Sequence, residues 1–127
     1  MTRLLWISIA GGAGCGARYL VSGWVVRAVG GASFWGTLTV NLLGSFLLAL
    51  LFELLVALPG LSHDLRLALT AGFLGGFTTY STFNFETLTA LEAGHWGTAG
   101  LNVGLTVVGC LLAGWFGLVV GRALAAG

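Results

Sequence analysis

The chain contains no lysine, and its five arginines and four acidic residues make up only 7% of 127 residues. Soluble domains carry about 25% charged residues, so this chain cannot clothe a water-facing surface. A formal net charge of +1 offers no basic patch and excludes a nucleic-acid partner. Proline occurs once, at Pro59, where it can end a helix without interrupting one. The two cysteines, Cys15 and Cys110, lie in apolar, glycine-rich surroundings without metal-ligand spacing and read as small core residues. The first apolar run has no convincing A-x-A site or polar region after it, so a cleavable signal is not expected. What remains is 57% hydrophobic residues with 22 glycines and a mean hydropathy of +1.01. These are the properties of an all-α integral membrane protein.

A helix needs about 20 residues to cross about 30 Å of hydrocarbon. Four candidate spans fit: Leu4–Val29, Trp35–Leu58, Leu65–Leu91 and Trp96–Leu124. They leave breaks at Gly30–Ser33, Pro59–Asp64 and Glu92–His95, and they leave nothing over for a soluble domain. Trp6, Trp24, Trp35 and Trp96 fall toward span ends, as interfacial anchors do.

Four spans place Arg3, Arg66 and Arg122 on one side and Arg27 on the other. That bias predicts both termini inside, but it is slight. It is equally compatible with a fixed topology and with an antiparallel dimer of oppositely inserted copies. Small-xxx-small spacings at Gly12/Gly16, Gly72/Gly76, Gly100/Gly104 and Gly117/Gly121 permit close helix contact in lipid.

Within the third span, Gly72–Phe85 reads GFLGGFTTYSTFNF, a stretch expected to form a broken helix. Irregular backbone at membrane depth survives only where protein or a water-filled cavity satisfies its polar groups. Broken helices with exposed termini and carbonyls are one way transport proteins hold ions.

Polar residues elsewhere form stripes. Thr37, Asn41 and Ser45 recur at four-residue spacing on the second span, and Asn102, Thr106 and Cys110 do so on the fourth. Each set therefore shares one helix face. Such stripes can donate hydrogen bonds to a dehydrated ion or join helices to one another. Tyr80 and Phe83 are three apart and share a face, with Phe85 turned away. Aromatic edges carry partial positive charge, so these rings can contact an anion, although packing explains most such pairs.

Three charges lie deep. Glu53 is one turn from a span end and can snorkel. Arg18 has three available roles: pairing with Glu86, capping the carbonyl end of a half-helix, or attracting anions to an entrance. Glu86 can instead carry a coupling proton.

Three motifs in order, GGAGCGARY at Gly11–Tyr19, GTLTVNLLGSF at Gly36–Phe46 and GGFTTYSTFNFE at Gly75–Glu86, resemble those of the Fluc (CrcB) family of small fluoride-specific channels. The resemblance covers essentially the whole chain. It implies four transmembrane helices with a broken third helix and an antiparallel, dual-topology homodimer in the cell inner (plasma) membrane. Two separate pores would run along the subunit interface and carry fluoride passively out of the cytoplasm, with chloride excluded.

By motif position, Asn41 is the amide that donates to the ion, and Tyr80 and Phe83 occupy the places of two phenylalanines whose edges face fluoride. Ser81 and Thr82 supply polar contacts at the break, and Glu86 matches a carboxylate near the pathway. Asn102, Thr106 and Cys110 form the fourth-helix track, and Arg18 stands near a vestibule in a mainly structural role. The resemblance also implies a structural sodium ion at the dimer centre, held by the backbone carbonyls of Gly75 and Thr78 from each subunit.

Two departures stand out. Tyr80 adds a hydroxyl where phenylalanine is usual, and Cys110 followed by Gly114 weakens the fourth-helix track, since a thiol is a poor donor. Two other functions fit the composition: a small proton-coupled multidrug-type exporter using Glu86, and a membrane assembly factor that transports nothing.

Overall fold

The computed structural model describes residues 1–31 and 34–126. Ala32 and Ser33, which belong to the first expected break, lie outside the described residues. The described chain is all helical: α1 (Thr2–Val29), α2 (Phe34–Val56), α3 (His63–Leu67), a π-helical segment (Ala68–Leu74), α4 (Gly75–Phe77), α5 (Tyr80–Glu92) and α6 (Trp96–Ala125). Of these, α1, α2 and α6 are each long and apolar enough to cross a membrane.

Local chemistry sets the boundaries. Gly30 ends α1 in the left-handed region (φ 63°), returning its N–H to the Val26 carbonyl, a conformation glycine adopts without a Cβ penalty. Helix α2 stops at Val56, two residues before the expected Leu58, because proline disfavours helical geometry in the residue before it. Arg66 braces this end, its guanidinium donating to the carbonyls of Leu55 in α2 and of Leu58 and, at 3.3 Å, Leu61 in the following turn. Ser62 caps α3, its hydroxyl accepting the Leu65 N–H at 3.3 Å.

The expected irregularity over Gly72–Phe85 is narrower than the sequence suggested. Gly72–Phe77 stays helical, first in π and then in α geometry. The backbone leaves helical geometry only at Thr78 (φ −89°, ψ 158°) and Thr79 (φ −151°, ψ 113°). Upstream, the π segment lengthens each hydrogen-bonded loop by a residue, a geometry found mostly as single-turn bulges and frequently at functional sites.

Packing is densest between α2 and α6 and between α1 and the π segment. Glycine makes both possible. A Cβ at Gly14 would strike the Phe73 carbonyl, and one at Gly117 would strike the Phe46 carbonyl. Gly72/Gly76 and Gly117/Gly121 thus lie at helix contacts within the chain, whereas Gly12/Gly16 and Gly100/Gly104 face open space. Val40 of α2 is fully buried at the centre, and Asn102 of α6 is nearly so. Large apolar side chains such as Leu111 and Trp115 remain exposed, which a lipid environment tolerates.

The ion pairs bind one end of the bundle. Arg3 meets Asp64 at 2.7 Å, and Arg122 meets Glu53 at 3.0 Å. Glu53 is therefore held by a partner rather than left to reach for solvent.

Candidate functional site

Thr79 stands at the centre of the site. Its N–H donates to Asn41 Oδ1 at 2.7 Å, and its carbonyl accepts from Asn41 Nδ2 at 2.9 Å. Both residues are buried. The amide's orientation is fixed by these partners, since only the oxygen can meet an N–H and only the nitrogen can meet a carbonyl. One Nδ2 hydrogen is left over.

The Thr79 hydroxyl caps α5 by accepting the Thr82 N–H at 3.3 Å. It also lies 2.9 Å from the Thr82 hydroxyl and 3.3 Å from that of Ser81. Sequence reasoning overlooked Thr79. The available signal was a threonine directly before a helical stretch, the preferred N-cap chemistry.

A groove of about 720 Å³ is lined by Asn41, Gly75, Thr78, Tyr80, Phe83, Thr106 and Cys110 among others. Seven expected site residues from α2, α4, α5, α6 and the intervening unwound stretch thus meet around one space with no charged side chain in its wall. Tyr80 and Phe83 present their rings together, centroids 5.5 Å apart and planes tilted by 58°. Phe83 is buried and Tyr80 is 77% exposed.

The remaining residues lie elsewhere. Thr82, Glu86 and Asn102 line a second cavity of about 370 Å³ that His95 also borders. The fourth-helix stripe is therefore divided: Thr106 and Cys110 face one space and Asn102 the other. Asn102 Nδ2 donates to the Thr87 hydroxyl at 2.9 Å, and its Oδ1 accepts from Thr106 at 3.3 Å. Ser81 is exposed beside Thr79.

Glu86 accepts a hydrogen bond from Thr37 at 3.0 Å through Oε1. Its Oε2 is buried without a partner among the described residues. Arg18 is not its ion-pair partner. The guanidinium instead lies 3.7 Å from the Cys15 sulfur, on the wall of a third cavity of about 320 Å³ shared with Thr37 and Thr82. Nor does Arg18 donate to a helix-end carbonyl among the described residues; at the end of α2 the guanidinium that does so is that of Arg66.

Among the described residues, no group of three or more His, Cys, Asp or Glu side chains is placed to hold a metal ion. Backbone carbonyls remain as candidate oxygen donors. The Gly75 carbonyl would accept the Thr79 N–H in an unbroken helix, but that N–H is committed to Asn41. The donor set is therefore compatible with a hard cation, which prefers oxygen ligands.

Residues 5–118 match the family model described as CrcB-like protein, Camphor Resistance (CrcB). The chain is 48% identical over 124 residues to a protein of Geobacter sulfurreducens named fluoride-specific ion channel FluC, covering 98% of this chain and 100% of the relative. Identically named relatives from Sorangium cellulosum and an Anaeromyxobacter species are 46% and 47% identical, covering 100% and 98% of this chain and 100% and 99% of their own lengths. A family model spanning most of the chain and relatives aligned end to end place this chain in the CrcB family.

Proposed function

We propose that this protein is a passive, fluoride-selective channel that exports fluoride from the cytoplasm across the cell inner (plasma) membrane and so relieves fluoride toxicity. The observation that carries the reading is the uncharged groove around Asn41, Tyr80, Phe83, Thr106 and Cys110. Full-length relatives named for fluoride channel activity support it. In this reading residues 63–92 cross the membrane together, giving four crossings with an unwound point at Thr78–Thr79. Two copies inserted antiparallel enclose two pores.

The mechanism is dehydration with replacement. Fluoride is small and strongly hydrated, so a selective path must return the hydrogen bonds it removes. The spare Asn41 amide hydrogen and the ring edges of Tyr80 and Phe83 are available for this, and the Thr106 hydroxyl joins them by giving up its bond to Asn102. Ser81 and Thr82 add polar contacts beside the break. Lack of fixed charge favours exit, since conduction requires binding weak enough to release the ion.

Sodium is proposed at the Gly75 and Thr78 carbonyls, where it would supply a positive charge shared by two copies and stabilise their contact. This chain contributes the freed Gly75 carbonyl and an extended Thr78.

One observation favours a second reading, a proton-coupled exporter: the partnerless Oε2 of Glu86. Purified protein in liposomes separates the two. A channel gives fluoride efflux that requires a charge-balancing ionophore and ignores an imposed proton gradient. Efflux that follows the proton gradient favours the exporter, and absence of flux leaves a structural assembly role.

A further inference from the structure

Asn41 has a second task that its expected contact with an ion does not explain. Its side chain pairs with both polar backbone groups of a residue 38 positions away, at 2.7 and 2.9 Å. A helix interrupted in hydrocarbon must find other partners for the groups it frees. The Thr79 hydroxyl restarts α5 by capping it, but that cap does nothing for the N–H and carbonyl of Thr79 itself. Asn41 satisfies both.

The rest of the α2 face is shaped to match. Thr37 meets Glu86, Asn41 meets Thr79, and Gly44 receives Thr78, whose methyl group a Cβ at Gly44 would strike. Successive turns of α2 thus engage progressively earlier residues of the opposing segment. This antiparallel row receives the unwound backbone at its middle and end.

We propose that Asn41 is the positioning residue that keeps the chain unwound at Thr78–Thr79. By taking the Thr79 N–H, it prevents that group from closing onto the Gly75 carbonyl. The same side chain therefore presents an amide hydrogen to the groove and leaves the carbonyl free for a cation. This second consequence rests on the sodium reading above; the clamp itself does not.

The test is nuclear magnetic resonance of the full-length protein in nanodiscs, labelled with ¹³C and ¹⁵N at threonine. In the unsubstituted chain the Thr79 amide is expected to exchange slowly and its carbon shifts to report extended backbone. Asn41→Leu removes both partners, so the Thr79 N–H should close onto the Gly75 carbonyl and the Thr79 shifts should move toward helical values. Asn41→Asp still accepts the Thr79 N–H, so the extended shifts should persist. Thr39→Val, which loses only a bond to its own helix at Trp35, should leave Thr79 unchanged.

Thermal unfolding in sodium against potassium supplies the second measurement. A sodium-specific rise in midpoint should shrink in Asn41→Leu and survive in Asn41→Asp. Rapid Thr79 exchange in the unsubstituted chain, helical Thr79 shifts in Asn41→Asp, or unaltered Thr79 shifts in Asn41→Leu would each overturn the clamp. If Asn41→Leu does not fold, the other two measurements decide. If Thr79 responds as expected but no sample responds to sodium, the clamp stands and the sodium reading fails.

Discussion

Asn102 donates its side-chain amide to the hydroxyl of Thr87 at 2.9 Å, and Thr87 in turn donates to the carbonyl of Phe83 at 2.8 Å. This short relay fixes α6 to α5 at the turn that carries the buried ring. Such bonds between helices in lipid average only about 0.6 kcal/mol. Leaving a buried donor or acceptor unpaired costs more, about 1–3 kcal/mol. Asn102→Ala should therefore lower stability within the larger range, because the Thr106 hydroxyl loses its acceptor as well. Thr87→Val should also lower stability, and Thr87→Ser should restore it. Thermal unfolding in detergent checks both, and an unchanged midpoint in Asn102→Ala would show that the relay carries little energy.

Close approach at Gly14 gives a second expectation. Its position opposite the Phe73 carbonyl leaves no room for a methyl group, and overpacking of this kind costs about 1–3 kcal/mol. Gly14→Ala should separate α1 from the π segment and lower the unfolding midpoint. Gly97→Ala, in a first turn open on all sides, should leave the midpoint unchanged or raise it, since alanine favours helix over glycine by up to about 1 kcal/mol.

The long helices were legible because α1, α2 and α6 are continuous apolar stretches whose ends carry glycine, proline or tryptophan. Asn41, Thr106 and Cys110 were legible from their four-residue spacing and Tyr80 and Phe83 as a pair three apart, whereas Gly75 and Thr78 came only from the motif resemblance. Three features were not. The π segment, ALTAGFL, differs in no composition or period from an ordinary membrane helix. The unwound point was placed too broadly, because glycine permits a break without requiring one. It is fixed by Asn41, and no local signal connects residues 38 positions apart. The stripe on α6 looked continuous, but α5 takes Asn102 for itself and leaves Thr106 and Cys110 to the groove.

Arg66 makes a third test possible. Its guanidinium holds carbonyls at the end of α2 and in the following turn, and hydrogen bonds from a charged group are worth about 1.5–3 kcal/mol. Arg66→Ala should cost stability in that range and increase proteolysis between residues 57 and 62. Arg66→Lys should recover only part, because an ammonium cannot span several acceptors as the planar fork does. Asp64→Asn removes the exposed pair with Arg3 and should cost less than about 1 kcal/mol. Equal losses in Arg66→Ala and Asp64→Asn would contradict this ranking.

Tyr80 and Phe83 allow a proposed place on the fluoride path to be separated from a packing role. Phe83 is buried on the groove wall, whereas Tyr80 is largely exposed. Phe83→Leu keeps apolar volume and should cost less than about 1.5 kcal/mol of stability, but it removes the ring edge proposed to face fluoride. Loss of that edge should slow fluoride passage without a matching loss of stability. Tyr80→Phe retains its ring edge and should preserve fluoride efflux, with any change in rate reporting the hydroxyl alone. Efflux from liposomes, measured beside thermal unfolding, separates the two effects. A Phe83→Leu protein that conducts normally at unchanged stability would remove this ring from the pathway and leave it a packing role against Tyr80.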